Sequence, residues 1–125
     1  MLPRAARLKQ SETFRRTVRT GDRAGTSTLV LHWHAPTPAD LPEASPAGAQ
    51  PARIGFVVSK AVGNAVSRNR VKRRLRHLTR EHLTELADGG VLVVRALPAS
   101  ATASSTQLHR DLTRALVRLE VRGAA

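Results

Sequence analysis

Between residues 44 and 80 the chain carries nine lysines and arginines and not one aspartate or glutamate. The bases are Arg53, Lys60, Arg68, Arg70, Lys72, Arg73, Arg74, Arg76 and Arg80. Those from Arg68 onward are threaded through an apolar repeat. At 100° per residue, Val71, Leu75, Leu78, His82 and Leu86 fall within a stripe roughly 80° wide. The spacing predicts a helix from about Ser67 to Ala87 whose stripe packs on a second layer. Arg68, Lys72 and Arg76 climb one flank of that stripe. Asn69, Arg73 and Arg80 lie opposite it, and Arg70, Arg74 and His77 take the far flank. Like charges at i,i+4 cost an isolated helix about 0.2–0.5 kcal/mol per pair. No carboxylate stands on this surface before Glu81 to offset them. A merely solvated face would mix glutamates among its cations, so the pattern points to a polyanionic partner.

The rest of the chain supplies a core for this helix. Hydrophobic residues make up 41% of 125 residues, enough for one domain spanning 1–125. Aromatics are only 2%, so that core rests on Leu, Val and Ala. Ser11–Arg19 reads as a short helix, with Ser11 as cap, Gly21 beyond the end, and Phe14 and Val18 on one narrow face. Thr26–His34 alternates as a strand, Leu29, Leu31 and Trp33 pointing one way and Thr28, Val30, His32 and His34 the other. Residues 35–52 hold five prolines and six alanines and read as a flexible, extended hairpin loop to the next strand, Arg53–Ser59. In that strand Ile54, Phe56 and Val58 share a face, and Gly55, Val57 and Ser59 the other. Val91–Leu97 is nearly all apolar, as a buried central strand would be. Ser104 and Gln107 form a capping-box pattern ahead of a last helix reaching about Val121, with Leu108, Leu112, Ala115, Leu116 and Leu119 on one side. Helix, strands, helix, strand, helix is the α+β class, a sheet packed against helices.

Several chemistries are excluded or weakened. With no cysteine there are no thiolate metal sites, disulfides or cysteine nucleophiles. No apolar run approaches the roughly 20 residues of a membrane span, and Met1–Arg7 has no apolar segment of a signal peptide. The expectation is a soluble, cytoplasmic domain. The net charge is +12, with 18 arginines to 3 lysines, and arginine suits bidentate phosphate contacts. Nucleic acid outranks a membrane because the basic stretch lacks large aromatic anchors. A DNA-reading helix-turn-helix is disfavoured, since a strand and a Gly-containing loop precede the basic helix. His32 and His34, at i,i+2, have no third metal ligand in view. His82 falls in the apolar stripe and reads as a packed core histidine, and Gly63 as part of a tight loop.

Ile54-Gly55-Phe56-Val57-Val58-Ser59-Lys60, Val62-Gly63-Asn64-Ala65-Val66 and Arg68-Asn69-Arg70-Val71-Lys72-Arg73-Arg74-Leu75-Arg76 together resemble the signature of the bacterial ribonuclease P protein subunit. The resemblance extends more weakly to the Phe14 helix, to the late strand with Arg95 and Pro98, and to the Leu-rich terminal helix. It implies a single-domain α-β sandwich, in the order αβββαβα or close to it. The sheet would be mixed and about four-stranded, with a left-handed βαβ crossover around the Arg-rich helix. It implies a subunit of an endoribonuclease that removes the 5′ leader from precursor tRNA. Catalysis would lie in the RNA subunit, and Mg²⁺ would be bound mainly by that RNA. By the same resemblance the RNA-subunit contacts are Arg68, Asn69, Arg70, Lys72, Arg73 and Arg76. The leader cleft is Phe14, Val18, Val30, His32, Val57 and Lys60, and neither DNA nor a membrane is a partner. Family members often carry aromatics where Val18 and His32 stand. Bases stack less strongly on His than on Tyr or Phe and not on Val, so Phe14 would be the remaining platform.

An auxiliary role agrees with the chemistry available. Cleaving a phosphodiester takes metal-activated water or an acid/base set, and residues 53–80 offer no Asp, Glu or Cys. Cations can neutralise and position RNA without breaking bonds. A structural RNA-binding protein is the competing reading, and a self-sufficient nuclease the poorer third.

Overall fold

Two local devices set the Arg-rich helix in place. The Asn64 side chain accepts the Ser67 N–H at 2.9 Å, which caps the helix and starts it at Ala65. Just before it, Gly63 has a positive φ of 156°, and a Cβ there would stand 3.0 Å from that of Ser67. The tight-loop reading of Gly63 therefore holds. The computed structural model of the chain describes residues 11–36 and 51–119. Its elements are α1 (Ser11–Thr20), β1 (Asp22–Gly25), β2 (Leu29–His34), β3 (Arg53–Val57), α2 (Ala65–Arg80), β4 (Val91–Ala96) and α3 (Ser105–Leu119). This is the expected α+β order αβββαβα with a four-stranded mixed sheet.

The sheet order is β1-β2-β4-β3. β1 pairs antiparallel with β2, β2 antiparallel with β4, and β3 parallel with β4. The crossover through α2 thus joins adjacent parallel strands. The hairpin expected across residues 35–52 is corrected, because β2 and β3 are not neighbours and β4 lies between them. Val91, Leu92, Val93 and Val94 are all buried. A strand apolar on both faces needs a partner on each edge and a layer on each side, and the central position supplies them. Residues 37–50 of that loop lie outside the described residues. The hairpin that does form joins β1 to β2, with the Thr26 N–H donating to the Leu29 carbonyl at 2.7 Å. The strand read as Thr26–His34 therefore begins at Leu29, and its first three residues turn the chain.

One face of the sheet presents Leu29, Leu31, Trp33, Ile54, Leu92 and Val94, which join Val71, Leu75 and Leu78 of α2 and Leu108, Leu112 and Leu116 of α3 in one core. Gly90 is required beneath the indole, where a Cβ would come within 2.1 Å of Trp33 Cη2. Ser104 Oγ accepts the Gln107 N–H at 3.1 Å and caps α3, as its pattern predicts.

The Arg-rich helix is shorter than its apolar stripe. Thr79 Oγ1 donates back to the Leu75 carbonyl at 2.8 Å, and the Glu81 N–H turns to Leu78. Such local bonds compete with the helical ladder. The chain leaves the helix after Arg80 and makes a 3₁₀ turn over Leu83–Glu85. Leu86 still returns to the core, but His82 does not belong to a helical core stripe. It is half-buried, its Nδ1 lies 3.1 Å from Glu85 Oε2, and its ring stands 5.7 Å from that of His109.

Candidate nucleic-acid interface

The first surface is the outer side of α2. Burying Val71, Leu75 and Leu78 turns Asn69, Arg70, Arg73 and Arg76 to solvent and leaves Arg68 and Lys72 half-buried. All six predicted RNA-subunit residues therefore lie on one helix, off its core side. Among the described residues none of these cations is ion-paired; the ion pairs seen there join His82 to Glu85 and His109 to Glu81. Arg68 Nε is buried and makes no hydrogen bond. A guanidinium nitrogen left so is poorly compensated within the chain. Arg74, on the far flank, is directed elsewhere: its Nη1 approaches the Ala103 carbonyl at 3.4 Å, ahead of α3.

The second surface is the sheet face turned away from the α2–α3 core. Strand register sets its residues in rows, because directly paired residues share a face. One row runs Gly25, Val30, Arg95, Val57 across the four strands, and the next runs Arg23, His32, Val93, Gly55. The structure thus brings together Val30, His32 and Val57. Val30, His32 and Val93 are buried although they stand outside the main core, and α1 lies against β2 and β4. Val18 of α1 is exposed, and Lys60 is exposed in the loop after β3. Phe14 falls within α1, and its side chain lies outside the described residues.

His32 is the unusual group on this face. It is 6% exposed, and neither ring nitrogen has a hydrogen-bond partner. Burial lowers its pKa below the ordinary 6.5, and the charges of Arg23 and Arg95 lower it further. A neutral imidazole has one donor and one acceptor to offer a ligand. Val93 and Val91 face His32 and His34 across the strand pair. Among the described residues no group of three or more His, Asp or Glu side chains could hold a metal ion. Arg23 and Arg95 were missing from the predicted cleft. Arg95 had a visible signal, as the one charge inside an apolar strand, whereas Arg23 needed the pairing of β1 to be known.

Residues 2–120 match the model of the family described as Ribonuclease P. The chain is 56% identical over 119 residues to the ribonuclease P protein component of a Nocardioides species, covering 95% of each chain. It is 52% identical over 119 residues to that of Streptomyces bikiniensis, again covering 95% of each. Among solved structures, the Staphylococcus aureus RNase P protein superposes with a TM-score of 0.76 at 24% identity, over 94% of this chain and 98% of that one.

Proposed function

Because the chain belongs to the ribonuclease P protein family, we propose that it binds the catalytic RNA subunit through α2. In this reading it also holds the 5′ leader of precursor tRNA, and so broadens substrate recognition. The observation that carries this is the outer side of α2, a ridge of cations with no carboxylate among them and an orphaned Arg68 Nε. Arg68, Asn69, Arg70, Lys72, Arg73 and Arg76 contact the RNA subunit. Guanidinium pairs phosphate in two parallel hydrogen bonds, and each phosphate contact releases counterions. The leader lies along Val30, His32 and Val57 with Phe14, Val18 and Lys60, where Arg23 and Arg95 add attraction for its phosphates.

The protein positions and neutralises, and bond cleavage belongs to the RNA. In this reading Mg²⁺ is held mainly by that RNA. No described helix is long and apolar enough to cross a membrane, and the work we assign to the chain is cytoplasmic.

Reconstitution tests the reading. Protein with its RNA subunit at low Mg²⁺ is expected to yield a mature tRNA 5′ end, while RNA-free protein yields none. Cleavage by the protein alone would make it a nuclease in its own right. Binding without stimulation would make it a structural RNA-binding protein.

A further inference from the structure

By sequence the last third of the chain is electrically balanced, with five bases and five acids in residues 81–125. Among the described residues, folding sets most of the acids apart from the arginines of α3. Glu81, Glu85 and Asp88 gather at the C-terminal end of α2 and in the turns after it, where Glu81 stands by His109 and Glu85 by His82. Asp111 is the single acid of α3, and it is buried, with Thr28 Oγ1 donating to it. The exposed side of α3 therefore presents Arg110, Arg114 and Arg118 and no carboxylate of its own. These three recur every four residues, at steps of about 6 Å along the axis. Arg118 Nη1 donates to the Gly25 carbonyl at 2.9 Å, which steadies its guanidinium at the β1 edge.

A helix C-terminus by itself attracts cations, but that effect fades within the last turn. It accounts for Arg118 and leaves Arg110, early in α3, unexplained. We infer that Arg110, Arg114 and Arg118 form a second docking surface for the phosphate backbone of the RNA subunit. The inference rests on the reading that α2 binds that RNA. Both helices pack on the same Leu29–Leu31–Trp33 face of the sheet, so one folded RNA lying on α2 extends over α3. The His32 face is on the other side of the sheet, which makes the leader the poorer occupant.

The test measures affinity of the full chain for the RNA subunit across a salt series. Arg118 is left intact because it also ties α3 to β1. The double variant Arg110→Gln/Arg114→Gln is expected to flatten the slope of log affinity against log salt by about 1.4–1.8, from roughly 0.7–0.9 per lost phosphate contact. Arg110→Lys/Arg114→Lys should keep the wild-type slope. Arg70→Gln/Arg73→Gln in α2 runs in parallel, as does binding of leader-bearing precursor tRNA by the reconstituted holoenzyme. If only the α2 variant flattens the slope, the α3 surface is merely solvated and this inference falls while the proposed function stands. If neither does, the proposed function falls with it. If the α3 variant weakens only precursor tRNA binding, the occupant is the substrate and the inference is overturned.

Discussion

Replacing Asp111 by alanine probes the contact that clasps α3 to the start of β2. Asp111 is 6% exposed and accepts from Thr28 Oγ1 at 2.5 Å, with Ser27 Oγ at a weaker 3.4 Å. Thr28 is fully buried, so its hydroxyl loses its acceptor and gains no water. A hydrogen bond to a charged group contributes about 1.5–3 kcal/mol, and an abandoned buried donor costs about 1–3 kcal/mol. The two ranges describe the same loss from its two ends, which gives about 2–3 kcal/mol for Asp111→Ala. With a urea slope of about 1–3 kcal/mol/M for a small domain, the unfolding midpoint should fall by about 0.7–3 M. Thr28→Val should be at least as damaging, because it strands the acid. The double variant Thr28→Val/Asp111→Leu removes both polar partners and should recover most of the loss, since an apolar pair of similar shape can be nearly neutral. Urea unfolding of the wild type, Thr28→Val, Asp111→Leu and the double variant gives the coupling energy directly. Additive losses, or an Asp111→Ala loss below about 0.5 kcal/mol, typical of an ordinary surface change, would refute the clasp.

Two other perturbations have equally definite outcomes. Gly90→Ala drives a methyl group to within 2.1 Å of Trp33 Cη2 on a 3%-exposed indole, and overpacking of this kind costs about 1–3 kcal/mol. A lowered melting temperature with altered Trp33 fluorescence is expected, and an unchanged melting curve would refute the close approach. For His32 the sign follows from its lowered pKa. Below the ordinary value of 6.5 the unfolded chain protonates this histidine before the folded chain does, so stability is full above that pH and falls as the pH drops through it. His32→Leu should show a weaker loss of stability between pH 7.5 and pH 5, and identical pH dependence in the two chains would show His32 to be solvated.

Much of this architecture was legible because it is written at short range. The cap of α3 and its apolar side follow from Ser104, Gln107 and residues three and four apart. The two faces of β2 follow from simple alternation, and they set Val30 and His32 against Leu29 and Leu31. The candidate site on α2 was legible for the same reason, since a known stripe leaves a known outer side. The end of α2 was not, because the spacing of Leu78, His82 and Leu86 survives a change from helix to 3₁₀ turn, and His82 was misread with it.

Helix periodicity, strand alternation and the charge of α2 were determined by the chain as written, since each depends on residues within a few positions of one another. Only the tertiary structure decided that β4 separates β2 from β3, that Arg23 and Arg95 flank His32, and that Asp111 is withdrawn from the surface of α3. Those outcomes depend on which distant segments meet and on where water is excluded, and no local spacing carries that information.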